Sequence, residues 1–388
     1  MKILISHPTS NQNNRNTILA LKKNKMLYSF ITSLNFNHKR FPYNIFSKNI
    51  KINLNKRNFT NITKKTYTSS LFLEFIKIVF FKIINKNYAN TLYKNIDILT
   101  SKFLIKNNEK IDAVYAYEDS ALETFKIAKK YNIKCIYELP TGYWRAKNIF
   151  LNNIEDKKKL INKDRELKLA DLVIIPSTFV KKTLKKSRIK NKKIIILPYG
   201  FPKIKKKKIQ WFGNKRKLKL LYVGSLTNNK GLVYLMNAIK KLNILHKNKI
   251  LTTIVGSGPL ERCLKQELPN EIFKKNLPHN LVLKEMFNND ILIFPSLFDG
   301  FGLVISEAMS CGMTVISTNN TALPDIGCEN DSFLISTKST KEIIDKVNYF
   351  LKHPSEIKRI GKNAQNTASK YSWSKYQKKL INIINNNL

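Results

Sequence analysis

Residues 294–318 read FPSLFDGFGLVISEAMSCGMTVIST. Asp299 is followed by Gly300-Phe301-Gly302, and Glu307 stands eight positions beyond Asp299. Small residues follow, and then the β-branched run Thr314-Val315-Ile316. The order is loop, helix start near Gly302, helix, strand. Glycines let a ligand approach the backbone closely. A helix starting near Gly302 points free N–H groups forward, which suits an anion such as phosphate. One carboxylate sits in the loop and the other about two turns into the helix. Carboxylates accept hydrogen bonds from hydroxyls, so phosphate plus sugar is the ligand chemistry this stretch suggests. The same spacing fits a glycine-containing turn before an ordinary buried helix, with Asp299 as its N-cap. Spacing alone leaves both readings open.

Outward from this stretch, strand-like and helix-like segments alternate through most of the chain. Strands are expected at Lys2–Ser6, Ala113–Tyr117, Lys134–Glu138, Leu172–Ile175 and Ile194–Leu197, with helical periodicity over Ala121–Tyr131 and Asp156–Ala170. Such alternation predicts parallel sheets covered by helices. The pattern breaks at Tyr199-Gly200, and the very basic segment FPKIKKKKIQWFGNKRK follows. A second alternation begins with the strand KLKLLYVG (217–224), then a helix over Gly231–Leu242 and a strand over Leu251–Val255. Helices are expected over Lys341–Phe350, over Pro354–Ala368 and after Tyr371-Ser372-Trp373. The expected organisation is therefore an α/β protein of two doubly wound, Rossmann-like domains facing each other across a cleft. They comprise residues 1–200 and 217–370, joined by a basic linker at 201–216, with a final helix at 371–388 crossing back to the first domain. In such sheets ligands bind at the carboxyl ends of the strands, where the strand order switches.

Composition narrows the functional classes. A chain of 388 residues is long enough for two cores, and 43% hydrophobic residues with 12 Gly and 12 Pro describe a globular protein. Cys135, Cys263, Cys311 and Cys328 are far apart and lack metal-ligand spacing, which fits a reducing compartment. The net charge of +44, from 70 Lys+Arg against 26 Asp+Glu, is spread over nearly every helix and loop. It reads as a bias toward Lys, Asn and Ile, with attraction to acidic lipids or acceptors as a side effect. No nucleic-acid-binding motif accompanies it, so no specific nucleic acid is expected. MKILISHP reads as a strand and not as a signal peptide. The most apolar window, Leu71 to Ile84, carries Glu74, Lys77 and Lys82. It is too short and too charged to span a bilayer; a core helix or a surface membrane helix are its two readings.

Two further strand ends carry loop signals. Tyr222-Val223-Gly224-Ser225-Leu226 leads to Lys230-Gly231, where the lysine is placed to reach a phosphate. Leu251–Val255 ends in Gly256-Ser257-Gly258-Pro259. Three loops of one sheet thus carry glycine turns in register. The order Gly-Ser-Leu…Lys-Gly, Gly-Ser-Gly-Pro, Pro-Ser…Asp-Gly-Phe-Gly…Glu-Ala-Met resembles the nucleotide-sugar half of family 4 glycosyltransferases, which have the GT-B fold. In the first half YAYEDSALETFKIAKK, YELPTGYW, KDRELKLADLVIIPSTFVKKTL and LPYGF agree with a subgroup of them. The resemblance is strongest over 113–200 and 218–326.

The resemblance implies a retaining transferase that moves a sugar from a nucleotide-diphosphate donor to a hydroxyl of a glycan or glycolipid, in the cytoplasm, at the inner face of the membrane. It implies Glu307 on the ribose, Asp299 on the donor sugar, and the amides of Gly302 and Leu303 on the diphosphate. Lys230 would neutralise the leaving phosphate. The donor loops would comprise Gly224, Ser225, Lys230, Gly256, Gly258 and Pro259 with Asp299, Gly300, Phe301, Gly302, Leu303 and Glu307. No cofactor or metal is expected beyond the donor as co-substrate, since no Asp-x-Asp occurs in the chain. Three departures stand out. The family often has Glu where this chain has Asp299, often a basic residue at Ser225, and often a histidine in the first domain that Leu139–Trp144 lacks. His7, Glu118 and Glu138, at strand ends of the first domain, are the acceptor-site candidates; Tyr143 and Trp144 stack on a sugar or simply pack. His246, His279 and His353 have no partners by spacing, with His279 near the expected base site. A nucleotide-sugar epimerase of the same fold, or an inactive relative binding nucleic acid or membrane surfaces, are the competing readings.

Overall fold

The structure is a computed structural model, described for residues 1–8, 11–35, 51, 54, 57–59, 62, 66–68, 87–151, 157–187, 189, 193–204, 217–275 and 277–388. The Leu71–Ile84 window and most of the 201–216 linker lie outside these residues. Seven parallel strands form the first sheet: β1 (Ile3–Ser6), β2 (Leu27–Thr32), β3 (Thr66–Thr68), β4 (Ala113–Tyr117), β5 (Lys134–Glu138), β6 (Leu172–Ile175) and β7 (Lys193–Ile196). Their order is β3-β2-β1-β4-β5-β6-β7. Six parallel strands form the second: β8 (Leu218–Val223), β9 (Ile250–Val255), β10 (Ile272–Lys274), β11 (Ile291–Phe294), β12 (Thr314–Thr318) and β13 (Ser332–Ile335), in the order β10-β9-β8-β11-β12-β13.

The central strands are mostly apolar because helices cover both faces of each sheet. Every residue of β1, β4, β6, β11 and β12 is buried. The strand order switches between β1 and β4 in the first sheet and between β8 and β11 in the second. Those switches bring together the loops after β1 and β4, carrying His7 and Glu118, and the loops after β8 and β11, carrying Lys230 and Asp299. Four of the signalled loops therefore stand at the two positions where doubly wound sheets open a crevice.

Sequence expectations and elements agree in kind: Ala113–Tyr117, Lys134–Glu138 and Leu172–Ile175 match end to end, and other ends shift by up to three residues. The expected helix over Gly231–Leu242 runs Leu232–Leu245, and the expected strand Ile194–Leu197 is Lys193–Ile196. β2, LYSFIT, was not anticipated; it is short and apolar, and its parallel partner β1 lies beyond a whole helix in sequence.

The last helix, Trp373–Asn387, packs on the first, Gln12–Lys23. The Thr17 hydroxyl and Tyr376 OH are 3.1 Å apart, Lys23 Nζ donates to Gln377 Oε1 at 2.9 Å, and Gln377 Nε2 donates to Asn16 Oδ1 at 2.8 Å. The outward and return crossovers touch where Phe201 N–H donates to Tyr371 O at 2.6 Å. Among the described residues no helix is long and apolar enough to cross a membrane.

Leu380 is fully buried in this helix seam. Leu380→Ala is expected to lower stability by about 2–5 kcal/mol in urea unfolding, because a cavity is left where the helix meets the first domain. Lys379→Ala, on the exposed face, is expected to stay within about 0.5 kcal/mol of the parent.

Candidate functional site

The second domain supplies one wall of the cleft. The loop after β11 turns on Asp299. Its Oδ1 accepts from Phe301 N–H at 3.1 Å and Gly302 N–H at 2.9 Å, and its Oδ2 accepts from Lys230 Nζ at 2.5 Å. Gly302, at φ +76°, is the N-cap of the helix Leu303–Ser310. Lys230 ends a short turn closed by Gly231 at φ +68°. A Cβ on Gly231 would stand 1.9 Å from Pro295 O, so only glycine lets this turn sit on the loop after β11. The backbone carbonyl of Asn229 accepts from Leu297 N–H at 2.9 Å and Phe298 N–H at 3.3 Å, which ties the same two loops together.

The glycine loops after β8 and β9 bind each other. Gly224 N–H donates to Val255 O at 3.0 Å, Leu226 N–H to Ser257 O at 3.0 Å, and Leu260 N–H to Leu226 O at 3.1 Å. Gly258 and Pro259 form the turn before the helix Glu261–Glu267. The Ser225 side chain is exposed, with its hydroxyl 3.3 Å from that of Thr227.

Glu307 sits four residues into the helix that follows Gly302. Its side chain is 18% exposed, and burial pushes its carboxyl up to about 7. Among the described residues none donates a hydrogen bond to it; the nearest cation-forming group is His279 Nδ1 at 3.8 Å. Burial holds the His279 imidazole below its ordinary value. No spacing pattern signals this pairing, since 28 residues separate the two. Burial, aided by the nearby Glu307, raises the Cys311 thiol to about 12, so it stays protonated.

The first domain supplies the facing wall. Glu118 accepts from Lys163 Nζ at 2.8 Å and from the Thr141 hydroxyl at 2.8 Å. Lys163 also lies 3.3 Å from Asp119. Three residues on, Glu166 is buried and accepts from Asp119 N–H and Ala121 N–H, both at 3.1 Å, and from Tyr137 OH at 3.0 Å. Burial raises its carboxyl to about 8. One face of the helix Lys157–Leu169 thus fixes the whole loop after β4. Neither Lys163 nor Thr141 was singled out from sequence: a lysine carries little signal among 70 basic residues.

Between the walls lies a cavity of about 180 Å³, lined by Glu118, Thr141 and Lys163 on one side and Asn229, Lys230 and Asp299 on the other. Two ion pairs face each other across it. The domains touch at its edge, where Ser177 Oγ donates to Gly300 O at 2.6 Å and Thr178 N–H donates to Asp325 Oδ2 at 2.9 Å.

The structure corrects three expectations. Glu138 does not face the cleft: it is fully buried, with Oε1 accepting from Asn13 Nδ2 at 2.7 Å and Tyr199 OH at 2.8 Å, and Oε2 from Tyr115 OH at 2.6 Å. Both its oxygens are engaged, so it is no acceptor ligand. The Gly302 amide, expected to bind diphosphate, is held by Asp299 instead. The first helical amides, Leu303 and Val304, remain outside the intrahelical ladder. His7 is buried, with its ring edge-on to Tyr117 at 4.5 Å and Nε2 3.4 Å from Asn11 Nδ2. Tyr143 and Trp144 pack and hydrogen-bond to Asp164 Oδ1, each at 2.7 Å.

The profile of the family described as glycosyl transferases group 1 matches residues 203–367. The chain is 27% identical over 165 residues to an uncharacterized glycosyltransferase of Methanocaldococcus jannaschii, covering 40% of this chain and 44% of that protein. It is 27% identical over 259 residues to an uncharacterized 41.2 kDa protein in the cps region of Klebsiella pneumoniae, covering 60% and 68%. Its aligned part thus spans under half the length of the first relative. Among solved structures, sucrose-phosphate synthase from Thermosynechococcus elongatus superposes with a TM-score of 0.74 at 15% identity, over 100% of this chain and 98% of that one. Anabaena HepE in complex with UDP-glucose superposes with a TM-score of 0.69 at 14% identity, over the full length of both. At such identities the likeness is one of fold.

A Cβ on Gly300 would stand 2.0 Å from Pro140 O, in the other domain. Gly300→Ala is therefore expected to push the two domains apart, lowering Tm and raising the radius of gyration in small-angle scattering. Gly142→Ala meets only the ring of Phe298, at 2.3 Å, and a ring can swing aside. Its effect should be smaller, and equal effects would contradict this close backbone contact.

Proposed function

We propose that this chain, which carries a group 1 glycosyltransferase domain at residues 203–367 and has the GT-B fold, moves a sugar from a nucleotide-diphosphate donor to a hydroxyl acceptor with retention of anomeric configuration. The observation that carries this reading is Glu307. A carboxylate that is 18% exposed, that burial pushes up to about 7 and that accepts no hydrogen bond from the described residues is suited to hydroxyl donors such as those of a ribose. The free amides of Leu303 and Val304 lie one turn before it, where a diphosphate would meet the positive end of the helix.

In this reading Lys230 leaves Asp299 for the phosphate and stabilises the charge that grows on the leaving group. Asp299, still capping the Phe301 and Gly302 amides through Oδ1, turns its freed Oδ2 to the donor sugar. The departing phosphate oxygen takes the acceptor's proton, so no protein nucleophile enters. The acceptor hydroxyl approaches from the first-domain wall, with Glu118 held by Lys163 and Thr141 to orient it. Lys230 and the helix N-terminus supply the charge compensation that a metal gives elsewhere, and we assign no metal to the reaction. The complex of HepE with UDP-glucose supports uridine nucleotides as the first donors to try. The match to the phosphatidylinositol N-acetylglucosaminyltransferase GPI3 subunit of Saccharomyces cerevisiae, 23% identical over 186 residues, supports a glycolipid or glycan acceptor. The chain's net charge of +44 supports work at the cytoplasmic face of an anionic membrane.

A thermal-shift screen with UDP-, GDP- and ADP-sugars should raise Tm for one class. Glu307→Ala should abolish that shift and the transfer reaction; full transfer by this variant would sink the assignment. Lys230→Met should lower kcat by about 10²–10³-fold with a smaller change in KM, measured by product release.

The pH dependence has a defined sign. Burial raises the Glu307 carboxyl from 4.5 to about 7, so the native state holds its proton more tightly than the unfolded chain does. Its contribution to stability therefore falls as pH rises through that window. Donor hydroxyls that bond the carboxylate offset the loss. Nucleotide affinity by calorimetry should rise as pH climbs through about 7, and Glu307→Gln should flatten the profile.

A further inference from the structure

The buried Glu138 network does not end in the first domain. Tyr199, whose OH donates to Glu138 Oε1 at 2.8 Å and lies 3.2 Å from Asn13 Nδ2, opens the crossover between the domains. Its ring lies 5.0 Å from that of Phe301, between centroids. Phe301 is 2% exposed and stands between Gly300 and Gly302 in the loop that Asp299 organises. Trp373, from the returning crossover, stacks on the Tyr199 ring at 6.4 Å and 27°.

We propose that Tyr199 is a positioning residue: anchored on Glu138, its ring sets Phe301 and through it the geometry of the Asp299–Leu303 loop. The consequence for donor binding rests on the proposed function; the mechanical coupling does not.

The physical argument is one of fixation. Two glycines flank Phe301, so its backbone has little stiffness of its own. The ring of Phe301 anchors the loop in the main core, and Tyr199 packs against it. A free tyrosine ring could shift in such a contact. Here the hydroxyl is held in the first domain by a carboxylate that burial raises above its usual range and that two other donors also hold. Moving Phe301 moves its own amide and that of Gly302, the two donors on Asp299 Oδ1. Displacing Asp299 displaces Lys230.

The site offers its own control. Tyr115 OH donates to Glu138 Oε2 at 2.6 Å, is equally buried, and stands on β4 in the core of the first domain. Tyr199→Phe and Tyr115→Phe each remove one hydrogen bond from the same carboxylate and keep the ring. Only the first acts on the partner of Phe301.

Hydrogen exchange by mass spectrometry on the ligand-free full chain reads the coupling directly. In Tyr199→Phe the amides of 299–304 should exchange about fivefold faster than in the parent, while Tyr115→Phe leaves them unchanged despite a similar fall in Tm. UDP titrated into the same proteins should bind about tenfold more weakly to Tyr199→Phe and equally well to Tyr115→Phe. Equal exchange in the two variants, or no change in Tyr199→Phe, overturns the proposal. If Tyr199→Phe does not fold, Phe301→Leu breaks the same ring contact from the other side and must show the same loop-confined exchange. If the parent binds no UDP, the donor reading is at fault and the exchange arm alone decides the coupling.

Discussion

One short carboxylate holds the cleft wall together. Asp299 accepts two amides of its own turn on Oδ1 and the Lys230 ammonium on Oδ2. The first pair shapes the entry to the helix Leu303–Ser310; the second draws the loop after β8 onto the loop after β11. An acid one methylene longer would not close the turn in the same way, because the two-amide bond from a side chain to its following residues is the geometry of Asp, Asn, Ser and Thr. The Asp that departs from the resembled pattern is thus the residue type this turn needs. The reading of Asp299 as a structural cap and its reading as a ligand residue are not rivals: the cap occupies one oxygen and leaves the other on an exchangeable cation.

Backbone proximity then locks this loop to the first domain. Gly300 lies so close to Pro140 that a methyl group has no room, and Ser177 fastens the Gly300 carbonyl from the same side. The facing wall repeats the logic with different parts. Glu118 is held by Lys163 and Thr141, and the backbone around it by Glu166. Each wall presents a carboxylate whose cation partner is itself partly buried; Lys163 and Lys230 are 12% and 17% exposed. Such pairs gain little from being paired and lose much if one member is removed. Here both stand at the edge of the cavity between the domains.

What could be read from the sequence is what repeats locally. Runs such as LVII at 172–175 and the β-branched Thr314-Val315-Ile316 announce parallel strands, glycines announce the loops at their ends, and the spacing of Asp299 and Glu307 announces one on a turn and one on a helix. Contacts over long sequence distance leave no such trace. Glu138 closes β5 and Glu118 follows β4, and both read as acceptor-site candidates, with Glu118 the better placed. One is enclosed by Asn13, Tyr115 and Tyr199, and the other opens to the cleft. The difference lies in residues up to 125 positions away. The approach of His279 to Glu307, and the role of Lys163, were unreadable for the same reason. The amide of Gly302 failed differently: its helix N-terminal position was right, but the side chain three residues earlier had already taken it.

The chain's great positive charge and its paired lysines act at different ranges. A net charge of +44 attracts any polyanion, but beyond about 10 Å at 0.1 M salt that attraction is screened, and it distinguishes no ligand from another. Within the cleft the balance reverses. Lys163 and Lys230 are paired with Glu118, Asp119 and Asp299, and with Lys147 also in the lining the three cations and these three carboxylates balance. An anion drawn to the surface gains there only if it can take Lys230 from Asp299 while giving Asp299 something to accept. In the proposed reading, the phosphate takes Lys230 and the hydroxyls of the sugar attached to it give Asp299 its donors. Discrimination in that reading rests on exchanging one ion pair for two matched contacts, which a surface rich in lysine does not supply by itself.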